Sequence, residues 1–469
     1  MNANEQLKEQ MNTSASQARC TSNATSNATV APTQSGNNQS SDAGTPKDSS
    51  QQTRTPARRR AHVHLNPKRV LLAMGPGLVA ALAGADAGGV ATYSNAGALF
   101  GFGQLWTVPI MCFLLIVVQE TACRMGCVTG KGFASLIREQ FGVRKSALAM
   151  FALLISNTTV TLSEFAGIAS GFALFGMPTY MSVPLSALLI WVLAMSGSYR
   201  AIEKVLLAIS CIFITYVIAG FMVAPNWENA CFETLVPQIE LSPSYISLLV
   251  ANVGTTIAPW MIFLAQTNVV DKGAANDDIP YQQIDTVTGA VVASAISWFI
   301  ILTTGAVLFP AHISVQGAED AAKALAPLAG NYAFILFGAG LIGASFLAAC
   351  VLPGITASGI CEAFGWERGA DASWQEAPAY RGIITAILII SAIIVLIPDI
   401  DLFGIMMFAQ IVNGILLPVL LLCMVHIASD KFIMGEWVNT KLWTGLTWFT
   451  IIAVTVLTVI MFILQALGY

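Results

Sequence analysis

The sequence predicts an all-α integral membrane protein, with about eleven spans arranged as two five-helix inverted repeats and one further helix. Three observations carry that prediction. Of the 469 residues, 55 % are hydrophobic and only 10 % are charged, where a soluble chain would have roughly a quarter of its residues charged. Apolar runs of about 20 residues, enough to cross a hydrocarbon core roughly 30 Å thick, recur along most of the chain. Two of those runs, five segments apart, are interrupted by Gly or Pro, as in paired discontinuous helices where two repeats meet. Strand-type alternation is missing, which argues against a β-barrel.

Residues 1–66 differ from the rest. The stretch "NTSASQARCTSNATSNATVAPTQSGNNQSSDAGTPKDSSQQT" has few large apolar residues and cannot bury a core, so it reads as a disordered cytoplasmic tail. It has no apolar core of a signal peptide. Asn23 and Asn27 match glycosylation sequons, as chance allows in so Asn/Ser/Thr-rich a segment. Its basic end, "RTPARRRAHVHLNPKR", abuts the first apolar run. It is read as a charge cluster that sets topology, with contact to anionic lipid heads as the alternative.

The membrane-spanning region, 67–469, divides into apolar segments Val70–Phe100, Leu105–Met125, Ala147–Phe175, Met181–Met195, Val205–Val223, Ser244–Val270, Val287–Phe309, Tyr332–Ile360, Ile383–Ile397, Phe403–Val425 and Leu442–Leu467. The repeats fall at about 70–225 and 244–427, with the extra helix at about 442–467. With the tail cytoplasmic, Arg124, Lys131, Arg138, Arg144, Lys145, Arg200, Lys204, Lys272, Arg368, Arg381, Lys431 and Lys441 lie on the cytoplasmic side, and only Lys323 on the other. Cytoplasmic loops are enriched in Lys and Arg, so this asymmetry predicts a multi-pass protein of the cell (inner) membrane with its amino terminus inside.

The nine cysteines lie mostly in apolar runs and form no CxxC pair. Cys123 and Cys127 have no second ligand pair for zinc, and the histidines fall in the tail or near segment ends. No P-loop, nucleophile elbow or HExxH pattern is present, so an enzyme is not expected. No resident cofactor is expected, and nucleic acid is not an expected partner; the lipid bilayer is. A monomer is compatible with the sequence, which does not decide the oligomeric state.

The first interruption is "GADAGGVATYSN" and the sixth segment breaks at "TTIAPW". Unwound backbone at membrane depth survives only where protein or water satisfies it. Asp86, inside the first break, costs about 2.5–3.5 kcal/mol at the bilayer centre on insertion scales and marks ion, proton or ligand sites. Apart from Arg124 at the cytoplasmic end of the second segment, no Lys or Arg falls inside a predicted span to balance it, so the missing positive charge is read as the substrate; a protonated, structural aspartate is the competing reading. Glu164 lies halfway along the third segment, with a carboxyl bonded to a neighbour and a proton or ion role both open. Gln410 and Asn413, three apart, share a helix face and suit helix–helix hydrogen bonding. Glu120 is expected at the cytoplasmic interface.

Over essentially everything after the tail, the chain resembles the natural resistance-associated macrophage protein (NRAMP) family of divalent-metal transporters. "GPGLVAALAGADAGGVATYSNAGALFGFGQLW" is similar to the family's first segment, "SEFAGIASGFALFGMP" to its third, "VGTTIAPWMIFLAQTNVV" to its sixth and "AQIVNGILLP" to its tenth. The resemblance implies the leucine-transporter-like fold. It also implies a mid-membrane metal site that would include Asp86, Gly89, Ala258, Gln410 and the carbonyls of Ala83 and Thr255 at half-helix ends, where partial negative charge suits cations.

The departures are specific. Gly89 replaces the family's ligating asparagine, Ala87 its proline, Ala258 its metal-binding methionine and Trp260 its histidine, and Thr161 stands in place of an aspartate on the proton route; Asp86, Glu164 and Gln410 remain. A thioether is a soft ligand favouring transition metals. Without it, a roomier site with one carboxylate suits partly hydrated Mg²⁺, which keeps several waters and takes one or two carboxylates. The pattern resembles the NRAMP-related magnesium transporters of prokaryotes, which carry Mg²⁺ and also Mn²⁺. Neither Trp260 nor Thr161 titrates, so uptake without proton coupling is expected. Glu164, Trp260, Asn413 and Thr161 mark the possible ion or proton path. The alternatives are a proton-coupled transporter of Mn²⁺ or other transition metals, an amine or amino-acid transporter of the same fold, and a membrane metal sensor signalling through its tail.

Overall fold

The computed structural model describes residues 86–196, 211–369 and 372–467. The tail, the first part of the first predicted segment (Ala83 included) and Arg200 and Lys204 lie outside them. The principal helices are α1 Ala87–Phe100, α2 Thr107–Thr129, α3 Phe133–Ala173, α4 Thr179–Ser196, α5 Thr215–Met222, α6 Pro243–Thr256, α7 Pro259–Asp271, α8 Ile279–Val307, α9 Ala333–Phe364, α10 Pro378–Val395, α11 Leu402–Ala428 and α12 Lys441–Ala466. Among the described residues, nine helical stretches are long and apolar enough to cross a membrane, with α6 and α7 together forming one of them. The first and fifth predicted segments are described only in part. The protein is an all-helical integral membrane protein.

α3 packs against both α9 and α11, and α1 and α6 pack against α11. α1 also lies along α8, and α7 along α2. On the periphery, α4 turns Leu185, Leu188 and Leu189 outward, and α12 does the same with Phe449, Ile452 and Val456. Apolar side chains on the outside are stable here because lipid tails are as apolar as leucine.

α3 is longer than the expected Ala147–Phe175. Gly142, at φ 69° and ψ −179°, divides an entry section beginning at Phe133 from the spanning section. Few residues other than glycine adopt that conformation, so the apolar pattern is carried around a corner instead of ending in a loop.

Both predicted breaks need closer description. In the sixth segment, α6 ends at Thr256 and α7 starts at Pro259. Pro259 occupies the first helical turn, where its missing N–H would have had no intrahelical acceptor. In the first segment the expected unwinding at Asp-Ala-Gly-Gly is corrected: Ala87, Gly88 and Gly89 are already helical, and Asp86 caps them. α1 has 14 residues, about 21 Å at 1.5 Å per residue, and every residue from Ala87 to Ala98 is buried.

Glu120, expected at the cytoplasmic interface, is buried within the protein, as is Arg124 of the same helix. Arg124 Nε donates to Glu120 Oε1 at 2.9 Å, and its other nitrogens donate to the Trp437 carbonyl and Asn439 Oδ1. Arg381 is likewise buried, in α10, and donates to the carbonyls of Ala372 and Met195.

Candidate metal site at the broken helices

Asp86 is 3 % exposed and sits at the N-cap of α1 in extended conformation. Its Oδ1 accepts from the Gly89 amide at 2.6 Å, the usual geometry by which an aspartate satisfies a free amide of a first helical turn. The positive end of the half-helix favours the carboxylate. Gly89, which the family resemblance assigned to the ligand set, therefore faces Asp86 with its backbone.

Glu164 is fully buried on α3, and its Oε2 accepts from the Ala87 amide at 3.3 Å. Two carboxylates thus meet the same helix start, with Ser345 of α9 beside Glu164. Ala87 and Ser345 are near because the residue between them is Gly167: a Cβ there would collide with both. Sequence alone could not place Glu164 next to Asp86, because 77 residues separate it from Ala87.

Gln410 joins the two breaks. A Cβ on Gly88 would overlap the Gln410 side-chain amide, and a Cβ on Gly254, near the end of α6, would overlap the Gln410 carbonyl oxygen. Asn413 Nδ2 donates to Gln410 Oε1 at 3.1 Å, and Ser156 Oγ of α3 donates to Asn413 Oδ1. Gln410 Nε2 has no protein partner. The expected amide pair is therefore a chain from α3 through α11 to the first turn of α1. Gly88 and Ser156 were not singled out from sequence; a glycine beside an intramembrane carboxylate was the available signal for close approach.

The second break contributes backbone. The final carbonyls of α6, Thr255 included, lie past the last intrahelical donors. Ala258 is the N-cap of α7 and is 1 % exposed. Trp260 is the largest fully buried side chain, and its Nε1 has no protein partner. Thr161 is buried, with its hydroxyl donating to the Asn157 carbonyl in its own helix at 2.8 Å. Ala83 falls outside the described residues. Brought together at the start of α1 are two carboxylates and the Gln410 amide, whose free atom is its nitrogen, with the end of α6 packed against the same Gln410. No cluster of three His, Cys, Asp or Glu residues suited to hold a metal occurs among the described residues.

A helix capped at its start by a buried carboxylate and packed beside α6, which breaks before Pro259, defines a membrane protein of the leucine-transporter-like fold. Solved structures agree on the architecture. A manganese transporter from Eremococcus coleocola superposes with a TM-score of 0.71 at 20 % identity, covering 85 % of this chain and 88 % of that one. MhsT, crystallised with L-phenylalanine, superposes at 0.52 and 14 % identity, covering 82 % of this chain and 97 % of its own. In sequence, the chain is 27 % identical over 422 residues to the divalent metal cation transporter MntH 1 of Pseudomonas aeruginosa, covering 84 % of this chain and 92 % of the relative. It is 24 % identical over 389 residues to the divalent metal cation transporter MntH of Granulibacter bethesdensis, covering 80 % and 84 % respectively. Residues 77–464 match the natural resistance-associated macrophage protein-like family. The chain belongs to that family.

Proposed function

We propose that the protein imports divalent cations across the cell membrane, chiefly Mg²⁺ and also Mn²⁺, without coupling to protons. It acts as a transporter and not as an enzyme, in keeping with relatives named divalent metal cation transporters. The observation that carries the Mg²⁺ reading is Ala258: where the family resemblance implies a metal-binding methionine, a buried methyl group stands at the start of α7 and offers no soft donor. Oxygen-only sites select hard cations, and Mg²⁺ is bound by few carboxylates while retaining waters. The unpaired amide nitrogen of Gln410 suits a metal-bound water better than the metal itself, since it can only donate. Uncoupled uptake follows from Trp260 and Thr161, neither of which exchanges protons near neutral pH.

Glu164 beside the Asp86 cap supports the second reading, proton-coupled transport of Mn²⁺ or another transition metal. Liposomes holding the purified protein distinguish the two. Under an inward Mg²⁺ gradient the proposal expects saturable uptake with no matching internal acidification. Absent Mg²⁺ uptake alongside clear Mn²⁺ uptake would overturn the selectivity, and acidification in step with metal uptake would overturn the coupling. The variant Ala258→Met with Gly89→Asn should move the Mn²⁺-to-Mg²⁺ preference toward Mn²⁺ by roughly tenfold, or about 1.4 kcal/mol.

A further inference from the structure

A small cavity is walled by α1, α2, α6, the start of α7 and α8. Its volume is about 20 Å³, room for about one water-sized occupant. Its polar lining includes Tyr93, Asn252, Thr255, Thr256, Ser294 and Ser297, and among the described residues no Asp, Glu, Lys, Arg or His lines it. Three of these side chains are more than nine-tenths buried yet unsatisfied: Asn252 Oδ1, Thr255 Oγ1 and Ser294 Oγ have no protein partner. Their neighbours do not share the deficit. Thr256 Oγ1 bonds both the Asn252 carbonyl at 2.7 Å and Tyr93 Oη at 2.8 Å. Helical Ser and Thr hydroxyls commonly bond a carbonyl one turn back, so Thr255 and Ser294 stand out by keeping their lone pairs free.

The chemistry restricts the occupant. Asn252 Nδ2 is committed to Gln104 Oε1 at 2.7 Å, so the free atom of that amide is its acceptor. α6 ends at Thr256, which puts the negative end of a half-helix dipole at the chamber. That field and those acceptors favour a cation over an anion. No carboxylate is available to offset a second positive charge, and broken-helix ends with neutral oxygens are where sodium-like ions bind in such folds. We propose that this chamber binds one monovalent metal cation, Na⁺ or K⁺, at a site distinct from that of Asp86 and linked to it through the end of α6.

The test is the unfolding midpoint of the purified full chain in detergent with EDTA, titrated with NaCl, KCl or choline chloride at matched ionic strength. A ligand that binds only the folded state raises the midpoint in a saturable way. The proposal expects Na⁺ or K⁺ to do so where choline does not, and the two salts identify the ion. Ser294→Ala, and independently Asn252→Ser, should raise the half-saturating concentration at least about tenfold, whereas Asp86→Asn should leave it in place. Equal curves in all three salts would mean a chamber holding water only and would overturn the proposal. So would a shift that survives both chamber variants, or one that disappears with Asp86→Asn.

Discussion

Glu164 Oε2 lies 3.3 Å from the Ala87 amide nitrogen, the first residue after Asp86. One half-helix start therefore faces two acidic side chains from different parts of the chain. Two like charges at one site are costly unless a cation lies between them or one carboxyl is neutral. Glu164→Gln keeps an oxygen that can accept from Ala87 while removing the charge. Mg²⁺ affinity, read by isothermal titration, should fall roughly tenfold, as expected for loss of about 1.4 kcal/mol. Unchanged affinity would place Glu164 in a purely structural role.

Asp86 caps α1 and is proposed to hold the metal, and the two tasks separate by substitution. Asp86→Asn retains a side-chain oxygen for the Gly89 amide, and Asn caps about as well as Asp. The unfolding midpoint should stay near that of the parent while saturable Mg²⁺ heat disappears. Asp86→Ala should lose both, with about 1 kcal/mol of the stability going with the cap. Mg²⁺ binding that persists in Asp86→Asn would move the site away from the first break.

Gly88 and Gly254 both press on Gln410 but through different atoms. At Gly88 the added methyl meets the end of a side chain that can move; at Gly254 it meets backbone, the Gln410 carbonyl and the Gly414 amide. Gly88→Ala should therefore fold normally and weaken Mg²⁺ binding by displacing the amide. Gly254→Ala should lower the unfolding midpoint and folded yield, because an overpacked core loses about 1–3 kcal/mol. Equal stability of the two variants would contradict this packing.

The Glu120–Arg124 pair is enclosed at the end of α2, with side chains 5 % and 6 % exposed. Gln283 of α8 adds a donor to Glu120 Oε1 at 2.9 Å. Removing one partner strands the other, which costs about 3–5 kcal/mol for a buried pair. Arg124→Met should be strongly destabilised, and Glu120→Leu with Arg124→Met less so. A double variant worse than the single would show that Arg124 acts mainly through Trp437 and Asn439.

The sequence by itself determined the helical membrane class, the break before Pro259 and the burial of Asp86, Glu164, Gln410 and Asn413. Span length, charge scarcity and Gly/Pro interruptions are local properties, and a lipid solvent leaves the backbone few alternatives to helix. Ala258 and Trp260 were legible in the same way, since each is read from the residue at its own position. Which residues meet was decided by the tertiary structure alone. Periodicity places Glu164, Gln410 and Ser156 on helices but carries no information on which helix lies opposite, so their convergence on the first turn of α1 had to come from packing. The glycines of the first break mark the same limit. Composition suggested that they loosen a helix; in the folded protein Gly88 and Gly89 are helical, one admitting Gln410 and the other offering its amide to Asp86. A missing side chain permits either unwinding or close approach, and only the neighbours, absent from a local reading, decide between them.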